Sequence, residues 1–186
     1  MKDIIETSVQ VQDSYPSFVN RYFTKGFRVN LPLSGPLDQT RQASNSNDVC
    51  ILRHSNRICL VTLAPSHPIL AEKKKVTSVS FKVTEKVDRS LNKVSGKRKR
   101  GAQWLDASSP LCKVKCDDES EYTIFCGMRG SLVEMNSRLL TNPELLFAGA
   151  NGFVAIVMPK LQEADCMMEK LMNQQQFDDY SQLTLQ

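Results

Sequence analysis

The sequence predicts a mainly β fold, an antiparallel sandwich followed by a C-terminal helix. Three observations carry this reading. Several segments alternate apolar and polar residues with period two, as half-buried strands do. Short polar stretches that favour turns separate them. Only beyond residue 160 do apolar residues recur at helical spacing. No internal repeat is evident.

Residues 1–47 read as a flexible N-terminal region with a short docking segment near 17–23. Met1–Ser14 is polar. Phe18, Val19, Tyr22 and Phe23 then cluster at helical spacing, with Ser17 as a plausible N-cap. So short a helix must dock on something to persist. Thr24–Asn47 is rich in Gly, Pro, Ser, Gln and Asn and reads as a flexible connection.

Residues 48–160 read as the β domain. Val49–Arg53 and Arg57–Leu63 flank His54-Ser55-Asn56 as a hairpin. Val76–Thr84 alternates, with Thr77, Val79, Phe81 and Val83 on one side and Ser78, Ser80 and Lys82 on the other. Val87–Gly101 is basic and loop-like. Pro110–Cys116 points Cys112, Val114 and Cys116 inward and Lys113 and Lys115 outward. After a turn at Asp117–Ser120, Glu121–Cys126 returns with Tyr122, Ile124 and Cys126 on one face. Ser131–Asn136 and Gly152–Met158 supply two more strands. Residues 161–186 read as an amphipathic helix and tail: Leu161, Ala164, Met167, Met168, Leu171 and Met172 form its stripe, which Phe177 and Tyr180 continue.

Hydrophobic residues make up 41% of the 186, enough for a core. No apolar run approaches the ~20 residues of a membrane span, and the N-terminus has no apolar signal-like region. The net charge of +4 is unevenly spread. Glu72–Gly101 holds eleven Lys or Arg and three acids, whereas Leu161–Gln186 holds five acids and one lysine. A basic stretch of this kind favours acidic partners: nucleic acid, phosphoinositide surfaces or an acidic protein.

No catalytic, cofactor or metal site is expected. The six cysteines read as reduced thiols acting as small hydrophobes. Cys50, His54, Cys59 and His67 lack a tight C-x-x-C pair to anchor a metal, so two core cysteines and two surface histidines is the better reading. No nucleophile motif accompanies either histidine. Gly96 and Gly101 bracket four cations, but Ala102-Gln103 follow where a phosphate loop needs Lys and Ser or Thr. The sharpest charged feature is Lys97-Arg98-Lys99-Arg100, which must stay hydrated and suits nuclear import or contact with an acidic surface.

Several long motifs carry a family resemblance. They are Tyr22-Phe23, the run Cys50–Cys59, Ser66-His67-Pro68, Lys93–Gln103, Arg129–Asn136 and Met158-Pro159-Lys160. In this order they closely resemble the actin-binding transcription modulator family, Abitram (also called Simiate). The resemblance covers 16–23 and 48–180, and 24–47 looks like an insertion. Gly130–Asn136, Leu140, Pro143–Leu146 and Gly152–Ile156 are more distantly similar to the glycine cleavage H-protein. That similarity implies a lipoyl/biotinyl-like sandwich of two small sheets with a helix alongside. A lipoyl carrier needs a lysine at one hairpin tip. Aligned on Gly130, the tip here is Asp117-Asp118-Glu119-Ser120, with Lys113 and Lys115 mid-strand.

The Abitram resemblance implies a non-enzymatic actin-binding protein, acting on filamentous or monomeric actin. It also implies roles in polymerisation, filopodia, lamellipodia, growth cones and dendrite branching, and a nuclear, speckle-associated link to transcription. The expected localisation is therefore nucleus plus cytoplasm, including actin-rich projections. Lys97, Arg98, Lys99 and Arg100 are the candidate residues for partner binding or import. Actin is acidic, so a basic loop is compatible with it, as it is with RNA. A nuclear nucleic-acid-associated adaptor is the alternative, weakened because only Trp104 near the basic loop offers a stacking aromatic. A lipoyl or biotinyl carrier is disfavoured by the tip. Intact mass after expression with active lipoylating and biotinylating enzymes is accordingly expected to show no cofactor adduct. A stoichiometric adduct on Lys113 or Lys115 would show that the tip lies elsewhere.

Overall fold

The computed structural model describes residues 18–29, 47–96 and 99–184. Its nine strands form two antiparallel sheets. The larger orders β1 (Phe23–Arg28), β2 (Val49–His54), β3 (Cys59–Leu63), β9 (Ala155–Met158), β8 (Gly130–Met135) and β5 (Trp104–Leu105). The smaller orders β4 (Val76–Ser80), β6 (Pro110–Cys116) and β7 (Glu121–Phe125). Short helices decorate them: α1 (Phe18–Tyr22), α2 (Pro68–Ala71), α3 (Arg138–Thr141), α4 (Ala164–Glu169) and α5 (Gln174–Thr184). This is the mainly β, two-sheet architecture expected from the alternating segments.

The main core lies between the inner faces, where Val49, Ile51, Val61 and Leu132 join Val79, Cys112, Val114 and Ile124. Period-two alternation places these residues inward. Strand β2 departs from alternation, because Val49, Cys50, Ile51 and Leu52 are all buried. Val49 and Ile51 face the main core, while Cys50 and Leu52 join Phe27, Ala64 and Phe177 in a second cluster. A strand covered on both faces reads as a continuous apolar run.

That second cluster corrects two expectations. Residues 23–28 form an edge strand paired with β2, not part of a flexible connection from Thr24. Its sequence hides this, since Thr24 and Lys25 are exposed and Gly26 has no side chain to signal a strand. A Cβ on Gly26 would come within 2.8 Å of Leu171, so glycine lets the C-terminal segment pack across β1. The rest of the proposed insertion, 30–46, and the Ser17 cap lie outside the described residues.

The expected C-terminal helix is broken into α4 and α5. Phe27 and Met172 exchange both backbone hydrogen bonds, at 2.8 and 3.0 Å, which requires extended backbone where the stripe predicts helix. Asn173 restarts the helix. Its side chain accepts from the Gln176 amide at 2.9 Å, while Gln176 Oε1 accepts from the Asn173 amide at 3.0 Å, a reciprocal cap. Leu161, the first residue of the expected stripe, is exposed.

Smaller differences have local causes. A bulge between Val76 and Ser78 turns Val76 inward and Thr77 outward, and Thr77 then donates to the Lys115 carbonyl. The strand ends at Ser80, although Phe81 and Val83 stay buried as the pattern predicts. Strand β5 was not anticipated, being only two residues long.

Phe177 stacks on Phe27 with ring centroids 4.0 Å apart and is 2% exposed. Phe177→Ala is expected to cost about 3 kcal/mol, read from the urea midpoint. Phe147→Ala, at a side chain 42% exposed, should change it by about 1 kcal/mol or less. Equal effects would show that α5 does not seal the outer face.

Candidate functional site: a basic hairpin and its surroundings

Ser95, Gly96, Lys99 and Arg100 belong to a built turn. Ser95 and Arg100 exchange backbone hydrogen bonds at 3.0 and 2.9 Å, and the Lys99 amide donates to the Gly96 carbonyl at 3.1 Å. Gly96, Lys99 and Gly101 take positive φ, which glycine adopts without cost. At Gly101 a Cβ would also meet the Lys93 carbonyl at 2.8 Å. Arg100 is exposed and Lys99 half-buried, and neither forms an ion pair among the described residues. Lys97 and Arg98, which precede Lys99, lie outside the described residues.

The stem of this turn is pinned to the sandwich. Asn92 Nδ2 donates to the Leu132 carbonyl at 2.8 Å, and Asn92 Oδ1 accepts from the Gln103 amide at 2.8 Å. Arg89 donates to Gln103 Oε1 and to the Pro110 carbonyl. Burial depresses the pKa of this arginine below its ordinary value. These contacts anchor the stem of the basic hairpin on β8.

The hairpin joining β6 and β7 carries the acidic tip Asp117–Ser120. Glu119 takes φ 63°, and Asp118 accepts from the Ser120 amide at 3.1 Å. Lys113 and Lys115 sit mid-strand and pair with Glu121 at 3.0 and 3.7 Å. The lysine reaching the tip is Lys74, just before β4. Its ammonium bonds Asp118 and lies 5.6 Å from the Tyr122 ring centroid. That bond holds the Asp118 carboxyl down to about 2 and raises the Lys74 pKa. Sequence reading missed Lys74, because the contact joins residues far apart in the chain.

His67 is buried, not on the surface as the sequence suggested. Its Nδ1 accepts from the Ile69 amide at 3.2 Å, capping α2, so the neutral ring carries its proton on Nε2. Nε2 has no hydrogen-bond partner, and the ring meets Tyr122 edge-on at 5.6 Å. Burial pushes the imidazole pKa down to about 3. Ser66 Oγ donates to buried Asp48 at 2.6 Å. Although Asp48, Ser66 and His67 are neighbours, the imidazole is committed to the Ile69 amide and held neutral. The group clamps a turn.

Cysteine chemistry is suppressed the same way. Burial pushes Cys50 up to about 11 and Cys59, Cys112 and Cys126 to about 12, keeping them as thiols. Cys50 and Cys59 belong to clusters on opposite faces of the sheet, so they do not converge on one ion. Among the described residues no group of three or more His, Cys, Asp or Glu side chains is placed to hold a metal.

Trp104 is 41% exposed. The Arg129 guanidinium and Lys160 ammonium lie 5.7 and 5.3 Å from its ring centroid. A base stacking on this ring would have to displace a cation.

Comparison with known proteins finds no matching family model. It does find curated relatives along most of the chain. The chain is 40% identical over 166 residues to Protein Abitram of Homo sapiens, covering 88% of this chain and 86% of that protein. It is 36% identical over 172 residues to Protein Abitram of Drosophila melanogaster, covering 90% and 72%. It is 28% identical over 149 residues to the Dictyostelium discoideum protein of that name, covering 79% and 78%. Among solved structures it is similar to a glycine cleavage system H protein from Mycobacterium marinum. That match has a TM-score of 0.48 and 12% identity, over 75% of this chain and 93% of that one.

The buried His67 makes stability depend on pH. Its folded pKa, about 3, lies below the ordinary 6.5, so the unfolded chain binds the extra proton between these values. Stability is therefore full above about pH 6.5 and falls as pH drops toward 3, by up to about 1.4 kcal/mol per unit. Denaturant midpoints from pH 7 to about pH 5.5, above the ordinary carboxylate range, isolate this effect. His67→Asn, which can still cap α2, should flatten the dependence. An unchanged slope would exclude His67 as its source.

Proposed function

The chain belongs to the Abitram family, and on that premise we propose that it is a non-enzymatic actin-binding protein. It regulates filament assembly and protrusive structures such as filopodia and dendrite branches, with a further nuclear, transcription-linked role. It works in the nucleus and in the actin-rich cytoplasm. The family resemblance supplies actin as the partner.

The observation that carries the reading is the basic hairpin at Ser95–Arg100. Clustered cations on a pinned turn attract an acidic surface at long range and raise encounter rates. Each exposed contact contributes about 1 kcal/mol or less. Together they can change affinity about tenfold, with neighbours adding less than their sum. Non-enzymatic action agrees with the chemistry of the interior, where His67 is held neutral and the buried cysteines are held as thiols. The nucleic-acid adaptor reading shares the basic hairpin. It is less favoured because cations already lie over the Trp104 ring.

The test is co-sedimentation with filamentous actin across a salt series. Replacing Lys97, Arg98, Lys99 and Arg100 together with Glu is expected to weaken binding about tenfold and flatten its salt dependence. Thermal stability should be unchanged, since exposed loop charges contribute little. A folded variant that binds like wild type would remove the hairpin from the mechanism, and absence of wild-type binding at low salt would remove actin. On a large fusion cargo, the same variant should lose nuclear accumulation. Unchanged distribution would exclude an import role for the run.

A further inference from the structure

A second surface is organised around the turn between β2 and β3. A groove of about 250 Å³ lies there, lined by Arg57, Trp104, Met158, Pro159, Lys160 and Leu161. Leu161 is 68% exposed and Trp104 41% exposed, so large apolar side chains border open solvent. On the far side of the turn Tyr22 stacks on His54 at 6.2 Å, and Phe18 beside it is exposed. Exposed large apolar side chains bordering a groove mark candidate interaction sites.

The cations define what fits. Arg129 pairs with Asp106 at 3.2 Å, and Lys160 with Glu163 at 3.7 Å. All four side chains are exposed, so these pairs are weak and open to exchange with an incoming carboxylate. Arg57 forms no ion pair among the described residues. It takes φ 72°, at a hairpin position where its amide donates to the His54 carbonyl at 2.8 Å. L residues adopt that conformation at a cost and glycine adopts it freely. The turn therefore carries a free cation where its geometry favours glycine.

We propose that this groove docks an acidic segment of a protein partner. One apolar side chain of the segment sits against Trp104, Met158 and Pro159, and flanking carboxylates pair with Arg57 and Lys160. Aromatic, Met and Arg anchors with a polar rim are typical of protein interfaces. A nucleic-acid strand fits less well, because Trp104 is the one aromatic among the groove's lining residues on which a base could stack. The proposal deepens the actin reading and rests on it only for the identity of the protein bearing the segment.

Trp104 is the only tryptophan in the sequence, so 5-fluorotryptophan places a single fluorine reporter in the groove. The labelled full chain is titrated with monomeric actin, with a synthetic peptide alternating Glu and Leu, and with a short oligouridine. Actin and the peptide are each expected to move the fluorine resonance. Arg57→Gly and Leu161→Glu should each weaken both interactions about tenfold. Neither should lower the thermal midpoint, because the first relieves a positive φ and the second alters an exposed side chain. Actin binding with an unmoved resonance and unaffected variants would overturn the groove and leave the actin reading standing. A response to the peptide with no actin binding would support the groove and remove actin. A resonance moved by neither would overturn the proposal, as would one moved by oligouridine alone.

Discussion

Strand β2 is apolar on both faces, and much of the molecule follows from covering both. Sheet pairing satisfies its backbone, and the main core takes Val49 and Ile51. Cys50 and Leu52 would otherwise face water, and α5 covers them through Phe177. The coupling runs through one backbone exchange, Phe27 with Met172. It secures the β1 edge, breaks the terminal helix at the required point and aims α5 at the outer face. Gly26 is part of the same solution, because only a missing Cβ lets Leu171 cross β1. Edge β1 is thus covered by the chain's own C-terminal segment, whereas the opposite edge, β5, is two residues long and carries exposed Trp104.

The strands with one buried face were legible in the sequence because alternation reports burial directly. Val79, Phe81, Val83, Cys112, Val114 and Ile124 all lie inward where the pattern puts them. Elements set by long-range contact were not legible. Residues 23–28 look like loop until β2 is present, and Met172 looks helical until Phe27 draws it into a bridge. One missed signal was available: Asn173 and Gln176 have the spacing of a reciprocal cap, which marks a new helix start inside the apolar stripe.

The candidate site was legible in a similar, partial way. Four consecutive cations announce an exposed loop, and two glycines bracketing them announce a turn, but nothing local shows the stem. Asn92 and Gln103 hold it through bonds to Leu132 on β8, and Arg89 through a bond to the Pro110 carbonyl on β6. The same blindness applies to His67. Isolated in sequence it reads as a surface residue, since burying imidazole without a partner on each nitrogen is costly. The fold uses one nitrogen to cap α2 and sets the ring edge-on to Tyr122.

These features separate two uses of polar chemistry. Inside, histidine and thiols are held in their neutral forms by desolvation, and there they serve packing and turn geometry. Outside, charge is concentrated on short turns with positive φ: Lys99 in the basic hairpin, Arg57 beside Trp104 and Glu119 at the acidic tip. A side chain at such a position rides on a tight backbone turn, and its location is fixed by the strands that the turn connects. A small sandwich has little interior to spare for a reactive pocket once its core is filled, but it has many turns. Placing single charges on those turns gives a compact scaffold separate contact points whose signs differ.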